Sequence, residues 1–146
     1  VESSIQWADS VLALERLFFL KLAVWGALSV IAGTGLFALA RRGSRESPLL
    51  SSLAVNLTVV GAIELVAALL CRHGARLRDL TTATSLDRTL WMVAGIALGW
   101  ASAALLVAVR LRMPAAAPTV GAATAIALHG VAIAILALQL AFALVR

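Results

Sequence analysis

"TVGAATAIALHGVAIAILALQLAFALV", residues 119–145, contains no Asp, Glu, Lys or Arg and a single histidine, His129. A helix of about 20 such residues crosses the roughly 30 Å hydrocarbon core of a bilayer, and this stretch is longer than that. Three further apolar runs lie upstream, at 22–40, 49–71 and 90–109, of which the second carries one charged residue, Glu64. Between them stand "RRGSRESP", "RHGARLRDLTTATSLDRT" and "RLRMPAAAP", each arginine-bearing and carrying Gly or Pro, as turns at a water interface require. Spanning segments must satisfy their own backbone polar groups, so they are helices or closed barrels. These Ala/Leu-rich runs lack the alternation of barrel strands. The expected fold is all-α: a single transmembrane domain over residues 1–146, an integral membrane up-and-down four-helix bundle with both termini on one side.

Composition points the same way. The chain is 62% hydrophobic and 13% charged, too few polar residues to cover a soluble surface. The net charge of +5 raises the question of nucleic acid, yet the basic residues sit at the ends of apolar runs with no interleaved aromatics, the pattern of headgroup contact. The expected surroundings are therefore a lipid bilayer and other membrane subunits or further copies, with no nucleic acid. Cys71 is the sole cysteine, which excludes an intrachain disulfide and a CxxC motif. It reads as a small apolar residue near a helix end, with lipidation the alternative.

Ahead of the first span, "SSIQWADSVLALERLFFLK" offers Asp9 or Ser10 as an N-cap and Val11, Leu14, Leu17 and Phe18 at helical spacing. A short interfacial helical segment is expected there, lying on the membrane surface or extending the first helix outward. The first apolar stretch ends in Arg41-Arg42 and not in a small-residue cleavage site, so the first helix reads as retained. Val1 is compatible with an alternative start, processing or trimming. In the second connector, Leu77, Leu80 and the Thr/Ser cluster suggest a short interfacial turn, with Ser85 capping the third helix. Arg16, Lys21, Arg72, Arg76, Arg78, Arg88 and Arg146 fall on the termini side, against Arg41, Arg42, Arg45, Arg110 and Arg112 opposite. That split leans toward cytoplasmic termini. Trp25 and Trp91 would lie in an aromatic belt on that same side.

Inside the spans stand Asn56, Glu64 and His129. Ionisable residues at such depth cost a few kcal/mol, so they face the bundle interior and find partners. Counting about 1.5 Å per residue from the side of the first and third connectors puts Asn56 near 10 Å, His129 near 15 Å and Glu64 near 22 Å. Asn56 and Glu64 are about 80° apart around their helix, within one broad face. His129 shares its face with Ala122, Ala125 and Ala132, which let a neighbour approach. An intramembrane polar network of Asn56, Glu64 and His129 is expected, with His129 as glue between the second and fourth helices.

Two functional alternatives stand beside that structural one. Ala125-x-x-x-His129 followed by Gly130 is similar to the small-residue-then-His arrangement by which light-harvesting antenna helices ligate bacteriochlorophyll; here His129 would bind (bacterio)chlorophyll or haem. A bis-histidine haem is disfavoured because His73 belongs at the headgroup level. The other alternative is a small proton or solute transporter working through Glu64, Asn56 and His129, although no span is broken by Gly/Pro and no inverted repeat is visible. Helix packing is assigned to Gly26 and Gly33, with Ser29, in the first helix and to Gly95 and Gly99, a GxxxG, in the third; intrabundle contact is expected for the latter, with a dimer contact as the alternative. Trp100 is expected to pack against small residues. There is no HExxH, GxSxG, Gly-rich phosphate loop, pair of nearby acids or Cys/His cluster, and Asp79 and Asp87 read as solvated or capping acids.

"VWGALSVIAGTGLFAL", "LDRTLWMVAGIALGWASAALLV" and "ALHGVAIAILALQLAFAL" together resemble a family of small bacterial four-helix membrane proteins classed as a domain of unknown function, over roughly residues 15–146. Where that family carries a Gly-Leu-Asp-x-Gly-Tyr type run, "GIALGW" has Ala97 and Trp100 at the Asp and Tyr positions. The resemblance implies topology and a bacterial inner membrane, and no activity. The functional expectation is a non-enzymatic integral membrane protein, an accessory or structural subunit of a larger membrane complex, with no cofactor.

Overall fold

The structure, a computed structural model, describes residues 2–42, 47–111 and 114–144. Four helices account for almost all of them: α1 (Glu2–Arg42), α2 (Pro48–Gly74), α3 (Leu80–Arg110) and α4 (Ala117–Leu144), with a single 3₁₀ turn, Pro114–Ala116, leading into α4. All four are long and apolar enough to cross a membrane. The residues before the first span are helical and continue α1 without a break, so the outward extension is the alternative realised. Val1, Arg45, Arg112 and Arg146 lie outside the described residues.

Local chemistry sets the helix ends. Ser47 caps α2, its hydroxyl accepting from the Leu50 N–H, and Pro48 sits in the first turn, where its missing N–H costs nothing. At α3 the cap is Asp79, not Ser85. The Asp79 carboxylate accepts from the Thr82 backbone N–H (2.8 Å) and the Thr82 hydroxyl (2.6 Å), which starts the helix at Leu80 and leaves Ser85 inside it, accepting through its carbonyl from Thr89. The second connector thus shrinks to residues 75–79.

An up-and-down order makes α2 and α4 parallel, and these two pack directly against each other. α4 also packs along α3 and touches α1, while α1 has its long interface with α2. The last helix is therefore the centre of the assembly. What surrounds it is small: no large side chain is fully buried among the described residues, and the interior is mainly alanine. Large apolar side chains point outward instead, Ile31, Leu70 and Trp100 being 68%, 69% and 65% exposed. Such a bundle coheres by close backbone approach, with lipid wetting the outer side chains.

The glycines show where the approach is closest. A Cβ on Gly26 would meet the Gly61 carbonyl oxygen at 2.6 Å, and one on Gly61 would meet Ser29 Cβ at 2.6 Å. Gly33 faces Thr58 and Ala54 in the same interface, so the packing expected of Gly26 and Gly33 is present. Gly121 lies against the Leu49 carbonyl, and Gly130 against the Ala97 carbonyl (2.7 Å from its would-be Cβ). Gly95 and Gly99 correct the expectation made for them. Neither has any atom within 4 Å of its would-be Cβ, because the face of α3 that meets α4 is built from Leu90, Ala94, Ala97 and Ala101, and the GxxxG lies on another face, turned outward.

At the termini end Leu90, Ala94, Ala137, Leu140 and Ala141 form a buried cluster with Leu14 and Phe18 against it. Next to it Glu15, 3% exposed, takes both Arg78 Nε (2.9 Å) and Nη2 (2.7 Å). This two-pronged bond fastens the connector between α2 and α3 to α1, and it raises the Arg78 guanidinium's already high pKa against the opposing effect of burial.

Candidate functional site

Gly121 seated against Leu49 and Leu53 sets the register of the parallel pair α2–α4. His129, eight residues on, comes level with residues near Leu57–Gly61, and Glu64 lies about one turn, or 5 Å, beyond. Side chains lean toward the N-terminus of their own helix, and the long Glu64 side chain spans that turn. Its Oε2 lies 2.8 Å from His129 Nδ1, with Glu64 7% and His129 2% exposed. The Glu64–His129 half of the expected network is thus formed.

Asn56 is not part of it. Its Nδ2 donates to the Ser52 carbonyl of its own helix (2.9 Å), and the side chain lies in a shallow polar surface with Ser47, Ser51 and Pro118. The 80° between Asn56 and Glu64, small on a helical wheel, is enough to put one against α4's interior face and the other at the bundle edge. The third member is Trp25. Its indole Nε1–H donates to His129 Nδ1 (3.3 Å), and the two rings meet edge-on with centroids 5.9 Å apart. Tryptophan near a span end reads as an interfacial anchor, and no sequence signal ties it to a residue 104 positions away.

Both contacts converge on one nitrogen, and the Trp25 contact selects a tautomer of the ring. A ring nitrogen that accepts from an indole N–H carries no proton itself, so the ring proton of a neutral His129 is on Nε2. The short contact with Glu64 Oε2 falls on the same nitrogen. The opposite arrangement, Nδ1–H donating to a carboxylate, would leave the Trp25 N–H pointing at another proton.

Two polar atoms remain: His129 Nε2 and Glu64 Oε1 are buried and have no hydrogen-bond partner. The two side chains line a cavity of about 320 Å³ between α2 and α3, floored by α4, whose other walls include Val60, Ile96, Ala97, Trp100 and Ile133. Ile96 and Trp100, two of its walls, are themselves exposed on the outside of the bundle. A second groove of about 530 Å³, on the Trp25 side of α4, is lined by Leu98, Ala101, Leu105, Thr124 and Leu128 among others.

Axial ligation of haem or chlorophyll by His129 would need a bare Nε2 and a proton on Nδ1, the carboxylate–histidine pairing common at metal sites. The Trp25 contact favours the other tautomer. No group of three or more His, Cys, Asp and Glu that could hold a metal ion occurs among the described residues. No family model, curated protein or solved structure matches the chain, so the chemistry of the site is carried by its own geometry.

Proposed function

We propose that this chain is a non-enzymatic integral membrane protein that serves as an accessory or structural subunit of a larger membrane assembly. The observation that carries this reading is the outward position of Gly95 and Gly99 on a helix whose extended interface, among the described residues, is with α4. Gly26, Gly33, Gly61, Gly121 and Gly130 each lie against another helix, whereas among the described residues nothing meets the GxxxG of α3. Its counterpart is a helix of another subunit, a second copy included. The Trp25–His129–Glu64 contacts support the structural half of the proposal, since they tie α1 and α2 to α4. A relay through the membrane would need Asn56 in line with the pair, and it is turned away.

Extraction in a mild detergent is expected to give a species larger than one chain. Gly95→Leu with Gly99→Leu should reduce it to single chains while leaving helix content unchanged. A wild-type chain that is monomeric at every concentration and extracts with no partner would overturn the proposal.

A further inference from the structure

The atoms left over at the centre of the bundle describe a ligand. His129 Nε2 and Glu64 Oε1 are buried without a hydrogen-bond partner on side chains that line one apolar cavity of about 320 Å³, and in the tautomer that accepts from Trp25 the first is a donor facing an acceptor. An unmet buried polar group costs on the order of 1–3 kcal/mol, and here there are two together. Acyl chains that enter from the lipid side have no group to offer either atom. Lipid headgroups do not reach a site midway along α4. A hydroxyl answers both at once, its oxygen accepting from Nε2–H and its proton passing in a hydrogen bond to Oε1.

We infer that the cavity between α2 and α3 is a binding site for a neutral, membrane-soluble alcohol or phenol, whose hydroxyl bridges His129 Nε2 and Glu64 Oε1 while its apolar body lies along Ile96, Trp100 and Ile133. The site stands independently of the Gly95–Gly99 face. Trp25 is a positioning residue in it: by donating to Nδ1 it keeps the proton of His129 on the nitrogen that turns to the ligand.

Three probes of matched shape separate recognition from partitioning: 4-octylphenol, which donates and accepts; its methyl ether, which only accepts; and octylbenzene, which does neither. They are titrated into the full chain in detergent, with the thermal midpoint and the ¹⁵N shift of His129 Nε2 as readouts. The phenol is expected to raise the midpoint saturably and move the Nε2 resonance. The ether should bind about tenfold more weakly, the equivalent of one neutral hydrogen bond, and octylbenzene should give no saturation.

His129→Leu is expected to abolish binding. Since His129→Leu also loosens the bundle, Ile96→Phe provides the second variant: it fills the groove from its lipid side without touching the polar pair, and should remove saturation with the fold intact. Three probes acting alike, no saturation by the phenol, or binding unaffected by Ile96→Phe would each overturn the proposal.

Discussion

His129 Nδ1 is shared between side chains of two other helices, so the contributions of Trp25 and Glu64 do not add. Trp25→Phe keeps the ring contact but removes the N–H, and is expected to cost about 1 kcal/mol of stability in detergent. Combined with Glu64→Leu, it should lose less than the sum of the two single losses, as a double-mutant cycle on thermal midpoints will read. Asn56→Leu combined with His129→Leu should be additive, because Asn56 bonds only within its own helix. The Glu64–His129 pairing was legible in the sequence, since two ionisable residues in apolar spans have few partners to choose from. The indole was not: tryptophan has a routine interfacial use, and only the crossing of α1 over α4 brings it to the histidine.

Helices here are defined by caps and by glycine. Gly61→Val would drive a Cβ to 2.6 Å from Ser29 Cβ and 2.8 Å from the Gly26 carbonyl oxygen, pushing α1 and α2 apart at a loss of about 3 kcal/mol. Gly95→Ala meets nothing and should stabilise the isolated chain by about 0.5 kcal/mol through helix propensity, while weakening the proposed assembly. Thermal unfolding of the two variants in one detergent gives the contrast. At the start of α3, the Thr82 hydroxyl, and then the Thr82 backbone N–H, hold the Asp79 carboxyl below the usual carboxylate range. The stabilisation this gives is complete above the unfolded-state pKa and is lost as pH falls through the lower folded value. Asp79→Asn keeps a capping oxygen and should flatten that part of the pH profile. Element type and approximate extent were readable from hydropathy alone. The start of α3 was not, because "DLTTATSLDRT" offers several capping residues and the choice among them is made by the short path from Gly74 back to Glu15.

On the scale of the whole molecule, the sequence gives the number of spans and their alternation but says little about which spans touch. Ala-rich helices can pack on any face, and the diagonal contact of α2 with α4 is selected by Gly121 and the Glu64–His129 bond together. One clasp outside the spans can be tested directly. Arg78→Met would leave Glu15 buried without its partner and is expected to cost about 3 kcal/mol, recovered in large part by adding Glu15→Met, because the penalty is that of an uncompensated buried charge. Placing α4 at the centre also orders biosynthesis. The helix that binds all the others is the last of the four to leave the ribosome. Until it enters the bilayer, the α1–α2 hairpin carries Glu64 with no imidazole beside it and α3 has no long interface to join. The nascent chain therefore passes through a stage in which a carboxyl group inside the lipid has no His129 to bond, and chaperone or protease surveillance of membrane insertion has that stage in which to act on it.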